Sequence, residues 1–247
     1  MRYIKLKEKL LSMFEGEKLQ GALSEWGFFN ELDKEIRSIG YSTNITPEIV
    51  GDAHRMDVDM LLTHHDSWEF VFGLKEKCNE LLLEYGIAHA FFHAPLDDAD
   101  FGTSASLAKA LGIEKKKVDM PYMNIFHAGI IGNLPPVAFD EFILKLTAVL
   151  DEPVRSFQNN EKTIQKAAVV TGGGNMTGDM QRAVDEECDT YITGEYALYS
   201  QQYAKLHGMN LLVGSHTNTE ILGVASMAKE LTKDTDIQIV RIAEPNY

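Results

Sequence analysis

Thiol chemistry has little to draw on in this chain. Cys78 and Cys188 are the only cysteines among 247 residues, and neither has a partner at ligand spacing. Both fall in helix-like stretches and read as ordinary buried thiols. Positive charge is also scarce: 23 Lys and Arg against 37 Asp and Glu leave a formal net charge of -14. Nucleic acid demands a basic face, so a nucleic-acid partner is not expected, and an acidic surface repels anionic lipid. Lys115-Lys116-Lys117 is the one dense basic run, and it reads as a solvated helix end. No apolar stretch is long enough to span a bilayer. No charged-then-apolar leader opens the chain; Met1 to Phe14 alternates Lys with Leu as an amphipathic helix does. A cytoplasmic protein without a membrane partner is the expectation.

What is present suits a globular chain, with 45% hydrophobic and 24% charged residues. The length suits one large domain or two modest ones. Apolar spacing of three and four predicts helices over Tyr3–Phe14 and Lys18–Trp26. Strands then alternate with helices. Ile36–Asn44, Val58–Leu62 and Ile87–Phe92 read as strands, separated by a helix opening at Thr46-Pro47 and another over Phe72–Tyr85. Ser104–Leu111 is helical. The second half repeats the scheme. Strands are expected over Tyr122–Ile131, Ala167–Val170, Thr190–Thr193, Leu211–Val213 and Ile237–Ile242, and helices over Val137–Leu150, Met176–Glu187, Tyr196–Leu206 and Thr219–Leu231. Such alternation implies βαβ units and a largely parallel or mixed sheet. The repeated pattern suggests two similar α/β domains, 1–118 and 119–247.

Three clusters follow apolar runs: Thr63-His64-His65-Asp66, His93-Ala94-Pro95-Leu96-Asp97 and His216-Thr217-Asn218-Thr219-Glu220. Ligands of open α/β sheets bind beyond the carboxyl ends of strands, so three such clusters can converge on a two-metal site. Imidazoles and carboxylates suit Zn, Mn, Fe, Co or Ni, and no thiolate narrows the choice. Each cluster has a plainer reading. His64 and His65 would point to opposite faces unless the chain leaves the strand there. Pro95 marks a loop in which His93 and Asp97 both turn inward, yet Asp97-Asp98 would also serve to cap the next helix. Thr217-x-x-Glu220 fits a capping box. Placement after a strand in all three cases favours metal.

Thr171-Gly172-Gly173-Gly174-Asn175 follows a strand and opens a helix, the geometry of an anion cradle. A turn needing positive φ accounts for the glycines equally well. Glu195 ends the next strand within Thr193-Gly194-Glu195. His54, His89, His127 and His207 lack carboxylate spacing and read as structural. Ser104 and Ser106 have no His-Asp partners for nucleophile chemistry.

Taken in order, several motifs resemble the NIF-three-like dinuclear metal-centre family, the GTP cyclohydrolase type-two homologues. They are Thr-His-His at 63–65, His-x-x-x-Asp at 93–97 ahead of Gly-x-x-x-x-Leu-Ala-x-x-Leu-Gly at 102–112, Gly-Gly-Gly at 172–174, Ile-Thr-Gly-Glu at 192–195 and His-x-x-x-Glu at 216–220. The resemblance runs from Tyr41 to about Leu231. It implies two interlinked α/β domains with a dinuclear site in the cleft between them, and a toroidal homohexamer built from dimers. Carried over, the metal ligands fall on His64, His65, Asp97, His216 and Glu220. His93 is a weaker ligand candidate or a catalytic one, and Glu195 is a second catalytic candidate. The first forty residues depart from the pattern: no Asp-Asn-x-Gly-Leu stretch is recognisable around Trp26–Glu31, and Asp66-Ser67-Trp68 replaces the usual Pro-Leu.

The function implied is metal-dependent hydrolysis of cyclohydrolase type, on a nucleotide-like or other small substrate, with two divalent ions per chain. Asp97 and Glu220 are the bridging candidates, because a carboxylate can bond two cations and an imidazole cannot. The competing expectation is a non-catalytic metal-binding or regulatory hexameric scaffold.

Overall fold

The computed structural model describes residues 1–116, 121–122 and 125–244. The chain forms two compact units, Met1–Ala99 together with Val224–Tyr247, and Asp100–Gly223. Two continuous halves split at residue 118 were expected; instead the first unit is discontinuous, because the last strand of the chain pairs with its first long parallel strand.

The chain begins with helices α1 (Tyr3–Ser12) and α2 (Gly16–Gly21). It continues through β1 (Trp26–Phe29), β2 (Ser38–Ser42), α3 (Pro47–Arg55), β3 (Met60–Thr63), α4 (Leu74–Tyr85), β4 (Ala88–Phe92) and α5 (Ala94–Asp98). Local chemistry explains several boundaries. Thr46 Oγ1 accepts the Ile49 amide hydrogen at 3.3 Å and Pro47 fills the first turn of α3. Gly86, at φ +63°, ends α4 in the left-handed conformation a C-terminal glycine supplies.

Two expectations fail here. The second helix does not reach Trp26; residues 26–29 form a strand antiparallel to β4. The Trp26 and Phe28 rings pack on Phe92, each 5.9 Å from it, so tertiary packing outweighs helical spacing. Residues 94–98 are a short helix rather than a loop, since Pro95 is tolerated in a first turn. Asp97 and Asp98 do not cap the next helix, whose N-cap is Gly102; Asp98 pairs with Lys18.

The second unit follows with α6 (Thr103–Ala110), β5 (Glu114–Lys116), β6 (Pro121–Tyr122), β7 (Phe126–His127), β8 (Ile130–Val137), α7 (Phe139–Leu150) and β9 (Arg155–Phe157). Then come β10 (Ile164–Val170), α8 (Thr177–Asp185), β11 (Thr190–Thr193), α9 (Leu198–Leu206), β12 (Asn210–Val213) and α10 (His216–Thr232). Strand β13 (Gln238–Arg241) completes the first unit. The basic run is not a helix end: residues 115 and 116 lie in β5, antiparallel to β8, and residue 117 lies outside the described residues. The single strand expected over 122–131 is interrupted, with residues 123–124 outside the described ones.

Both large sheets are mixed. In the first unit the order is β1-β4-β3-β2-β13, with every pairing parallel except β1 with β4. In the second it is β5-β8-β10-β11-β12-β9, where β10, β11 and β12 form the parallel centre. The core of the first unit packs Ile49, Val50, Leu61, Leu82 and Ile242. The second has an apolar layer on each sheet face, one around Phe142, Leu146, Val169 and Leu212, the other around Tyr191, Met180, Ala204 and Leu211. Successive side chains of a strand point to opposite faces, so Ile192 and Leu212 join the first layer while Tyr191, Leu211 and Val213 join the second. Cys78 and Cys188 are buried and free of disulfide, Cys188 lying just beyond α8. Among the described residues, no helix is long and apolar enough to cross a membrane.

Candidate metal centre

In the first unit the candidate residues leave the carboxyl ends of three adjacent parallel strands. Asn44 follows β2, His64 and His65 follow β3, and His93 follows β4. The two adjacent histidines share a side because the ladder stops at Thr63: the His64 and His65 amides both donate to the Thr43 carbonyl, at 3.1 and 3.0 Å. Thr63 reinforces this turn by donating its hydroxyl hydrogen to the His65 carbonyl at 2.6 Å. The same hydroxyl oxygen accepts from His89 Nε2 at 2.8 Å. Burial drives the His89 pKa down to about 4, so this ring is a neutral structural buttress, as its sequence context suggested.

His64, His65 and His93 each offer a ring nitrogen, and these lie within 4.8 Å of one another, a group that could hold a metal ion. Their partners settle the tautomers. His64 Nδ1 lies 3.0 Å from the Phe92 carbonyl oxygen, an atom that can only accept, so Nδ1 carries the hydrogen. His65 Nδ1 donates to Asn44 Oδ1 at 2.8 Å, because the Asn44 amide nitrogen donates to Glu244 at 2.7 Å. His93 Nδ1 donates to Glu25 Oε2 at 2.6 Å. That hydrogen bond, against an opposing effect of burial, holds the Glu25 carboxyl below its ordinary range. A ring bonded in this way through Nδ1 presents Nε2 as its ligating nitrogen. Metal-ligating histidines show this pattern, their other nitrogen donating to a carboxylate, carbonyl or amide oxygen. Asp97, on α5, brings Oδ1 to 3.6 Å from His64 Nε2.

Sequence reasoning missed Glu25, Asn44 and Glu244. Glu244 binds the Thr43 and Asn44 amides, at 2.6 and 3.2 Å, besides the Asn44 side chain. Each lies far along the chain from its histidine or carries no motif, so local spacing held no signal for them.

In the second unit the loops after β10, β11 and β12 supply the candidates. Helix α10 begins at His216, and Ser215 Oγ accepts the Asn218 amide hydrogen at 3.0 Å. The N-terminal cap is thus Ser215, and the capping box expected of Thr217 and Glu220 does not form. Glu220 stands one turn into the helix, 4% exposed, with Oε1 3.3 Å from His216 Nε2. Glu195 accepts from His216 Nδ1 at 2.7 Å, repeating the pattern of the first unit. Burial works against a charged His216, but Glu220 and Glu195 outweigh it and push the pKa up to about 9. Glu195 thus stands as the group that orients and polarises His216.

The glycine loop has a steric role. Gly172 sits at φ +61°, and a Cβ there would fall 1.9 Å from Glu220 Oε1 and 2.9 Å from His216 Nε2. A Cβ on Gly194 would meet Thr219 Oγ1 at 2.6 Å and His216 Cα at 2.8 Å. Hydrogen bonds tie the loop to the helix: the Gly172 amide donates to Thr219 Oγ1 at 3.0 Å, and Gly194 donates to the Gly172 carbonyl at 3.1 Å. The anion cradle expected of Gly172, Gly173 and Gly174 therefore has its first amide engaged within the protein. The absent side chain makes room for a carboxylate and an imidazole. The set of nitrogen and oxygen donors, with acceptor-held histidines in both units, fits borderline divalent cations.

The profile of the Duf34/NIF3 (NGG1p interacting factor 3) family matches residues 9–246. A "GTP cyclohydrolase 1 type 2 homolog" of Haemophilus influenzae is 28% identical over 227 residues, covering 85% of this chain and 86% of the relative. One from Pyrococcus horikoshii, of the same description, is 28% identical over 231 residues and 90% of each chain. Among solved structures, reduced HcgD from Methanocaldococcus jannaschii superposes with a TM-score of 0.81 at 23% identity, over 98% of this chain and 97% of that one. A Bacillus cereus protein related to NIF3 gives 0.81 at 16% identity, over 100% and 97%. At such identities the structures speak for the fold, and the profile match speaks for descent: this chain belongs to the Duf34/NIF3 family.

Proposed function

We propose that His64, His65, Asp97, His216 and Glu220 hold two divalent ions as one dinuclear centre, and that the protein is a hydrolase of small substrates. The observation that carries this reading is the common orientation of the candidate histidines. His64, His65, His93 and His216 are each held through Nδ1 by an acceptor oxygen, which directs Nε2 toward an incoming ligand. Two bound ions would supply Lewis acidity and a water acidic enough to act near neutral pH. The chain's own groups then have separable tasks. Asp97 and Glu220 carry the negative charge that two cations require. His93 and Glu25 form a hydrogen-bonded pair suited to holding a proton beside the centre. Glu195 fixes His216. The description of the relatives as GTP cyclohydrolase 1 type 2 homologues favours a ring-opening or related hydrolysis of a nucleotide-like compound.

Metal analysis and a screen of esters, phosphoesters and cyclohydrolase substrates test this together. Turnover should appear with added Mn, Zn, Fe or Co, disappear with chelator and rise with pH through neutrality. His93→Ala should lower the rate more than it lowers metal content. A homohexamer is part of the same proposal, supported by the resemblance to the family and by the frequency of closed rings among homo-oligomers; light scattering should give the mass of six chains. The family description, an interacting factor, favours a scaffold as the second reading. A metal-replete protein that hydrolyses nothing, while Glu220→Ala abolishes a partner interaction, would make the scaffold the better account.

A further inference from the structure

A cavity of about 520 Å³ lies wholly within the first unit, bordered on one side by His65 and His93. Its size falls in the usual range for small-molecule sites, roughly 300–1,000 Å³. Much of its wall is aromatic. Phe28 comes from β1 and Phe91 from β4, with Gly27 opposite Phe91 in the register. A Cβ at Gly27 would lie 2.8 Å from the Phe91 ring, so the glycine lets that ring lie across the strand. Trp68 enters from the loop after β3, its ring 4.5 Å from the His65 imidazole and 5.4 Å from Phe70. This loop is where the sequence carries Asp66-Ser67-Trp68.

The charges of the lining are one-sided. Lys75 is the only Lys or Arg among the described lining residues, and Asp66 and Glu69 hold it at 2.9 and 3.1 Å. With Glu25 also in the wall, the fixed charges sum to acidic. An anion entering here would face three carboxylates with one cation already paired. A flat, uncharged or cationic ring would find stacking surfaces and hydrogen-bond acceptors.

We infer that this cavity binds the planar nitrogen heterocycle of the substrate and excludes its anionic part. The inference rests on the hydrolase reading for the word substrate, and on the cavity alone for the binding. Calorimetry on the full chain, metal-loaded and again after chelation, tests it with adenosine as the uncharged planar probe and tripolyphosphate as the anionic one. Adenosine should bind saturably in both forms, and tripolyphosphate should fail to displace it. Trp68→Ala should weaken adenosine at least about ten-fold, as loss of one stacking partner does. Phe28→Leu, a milder change, should weaken it less. Glu69→Lys, at a side chain 83% exposed, leaves the core intact and should turn tripolyphosphate into a competitor. Absence of saturable adenosine binding, displacement by tripolyphosphate in the unaltered chain, or an unchanged affinity in Trp68→Ala would each overturn the inference. Adenosine binding without any turnover counts against the hydrolase reading and leaves the cavity assignment standing; turnover of other substrates without adenosine binding does the reverse.

Discussion

In the first unit three imidazoles gather at strand ends with two carboxylates, Asp97 and Glu25, against them; in the second a single imidazole, His216, stands between two carboxylates. The first group is oriented mainly by neutral acceptors, a backbone carbonyl on His64 and a side-chain amide on His65, with a carboxylate only on His93. The second is oriented by a carboxylate, Glu195, and with Glu220 on its other side His216 has its pKa pushed up to about 9, where a proton supplies part of the positive charge a cation would bring. One fold motif, a loop leaving a parallel strand, thus carries two electrostatic solutions. Neutral nitrogen donors favour borderline metals, while carboxylates add the charge that allows two ions to sit close together.

The contrast breaks most severely at the carboxylates. Asp97→Ala and Glu220→Ala should each remove about both metals if these residues bridge the ions; elemental analysis that finds full loading in either variant rules the bridge out. Gly172→Ala comes next. It forces a side chain into φ +61° and onto Glu220, so the variant should lose metal and about 1–3 kcal/mol of stability. Gly178→Ala is the matched control, since nothing lies within 4 Å of its Cβ, and it should gain roughly 0.5–1 kcal/mol as a helical glycine replaced by alanine. Thermal melts of the pair read both effects.

Orienting residues should matter less, and unequally. Asn44→Ala and Glu195→Ala are expected to weaken metal binding about 10–100-fold. Asn44 should cost more, because it joins buried His65 to Glu244, whereas the Glu195 side chain is 46% exposed. Competition with a fluorescent chelator would rank them, and a larger loss at Glu195 would reverse the contrast drawn above. The smallest effect is one of pH. His89 has a folded pKa of about 4 against an ordinary 6.5, so the unfolded chain takes up a proton that the folded chain refuses. Its contribution to stability is complete above about pH 6.5 and is lost as pH falls toward 4. Urea midpoints across that window should decline, and less so in His89→Gln.

Much of this was legible along the chain. Thr46-Pro47 announced α3, and the apolar runs ending at Leu62, Phe92 and Val213 announced the strands that carry His64, His93 and His216. Where local rules misled, packing explains it. Trp26 fits helical spacing yet joins a strand because its ring has Phe92 to cover. Thr217 and Glu220 match a capping box, yet Ser215 takes the cap one residue before the helix begins and leaves Glu220 to face His216.

The sequence by itself determined the alternation of strands and helices, the donor types available to a metal and the scarcity of cationic surface, since all three depend on residue identity and short-range spacing. Only the tertiary structure decided that the last strand belongs with the first unit, that Asn44 and Glu244 orient His65, and that Gly172 must lack a side chain. Those outcomes depend on which distant segments share a sheet edge or a loop cluster, and no window of neighbouring residues carries that information.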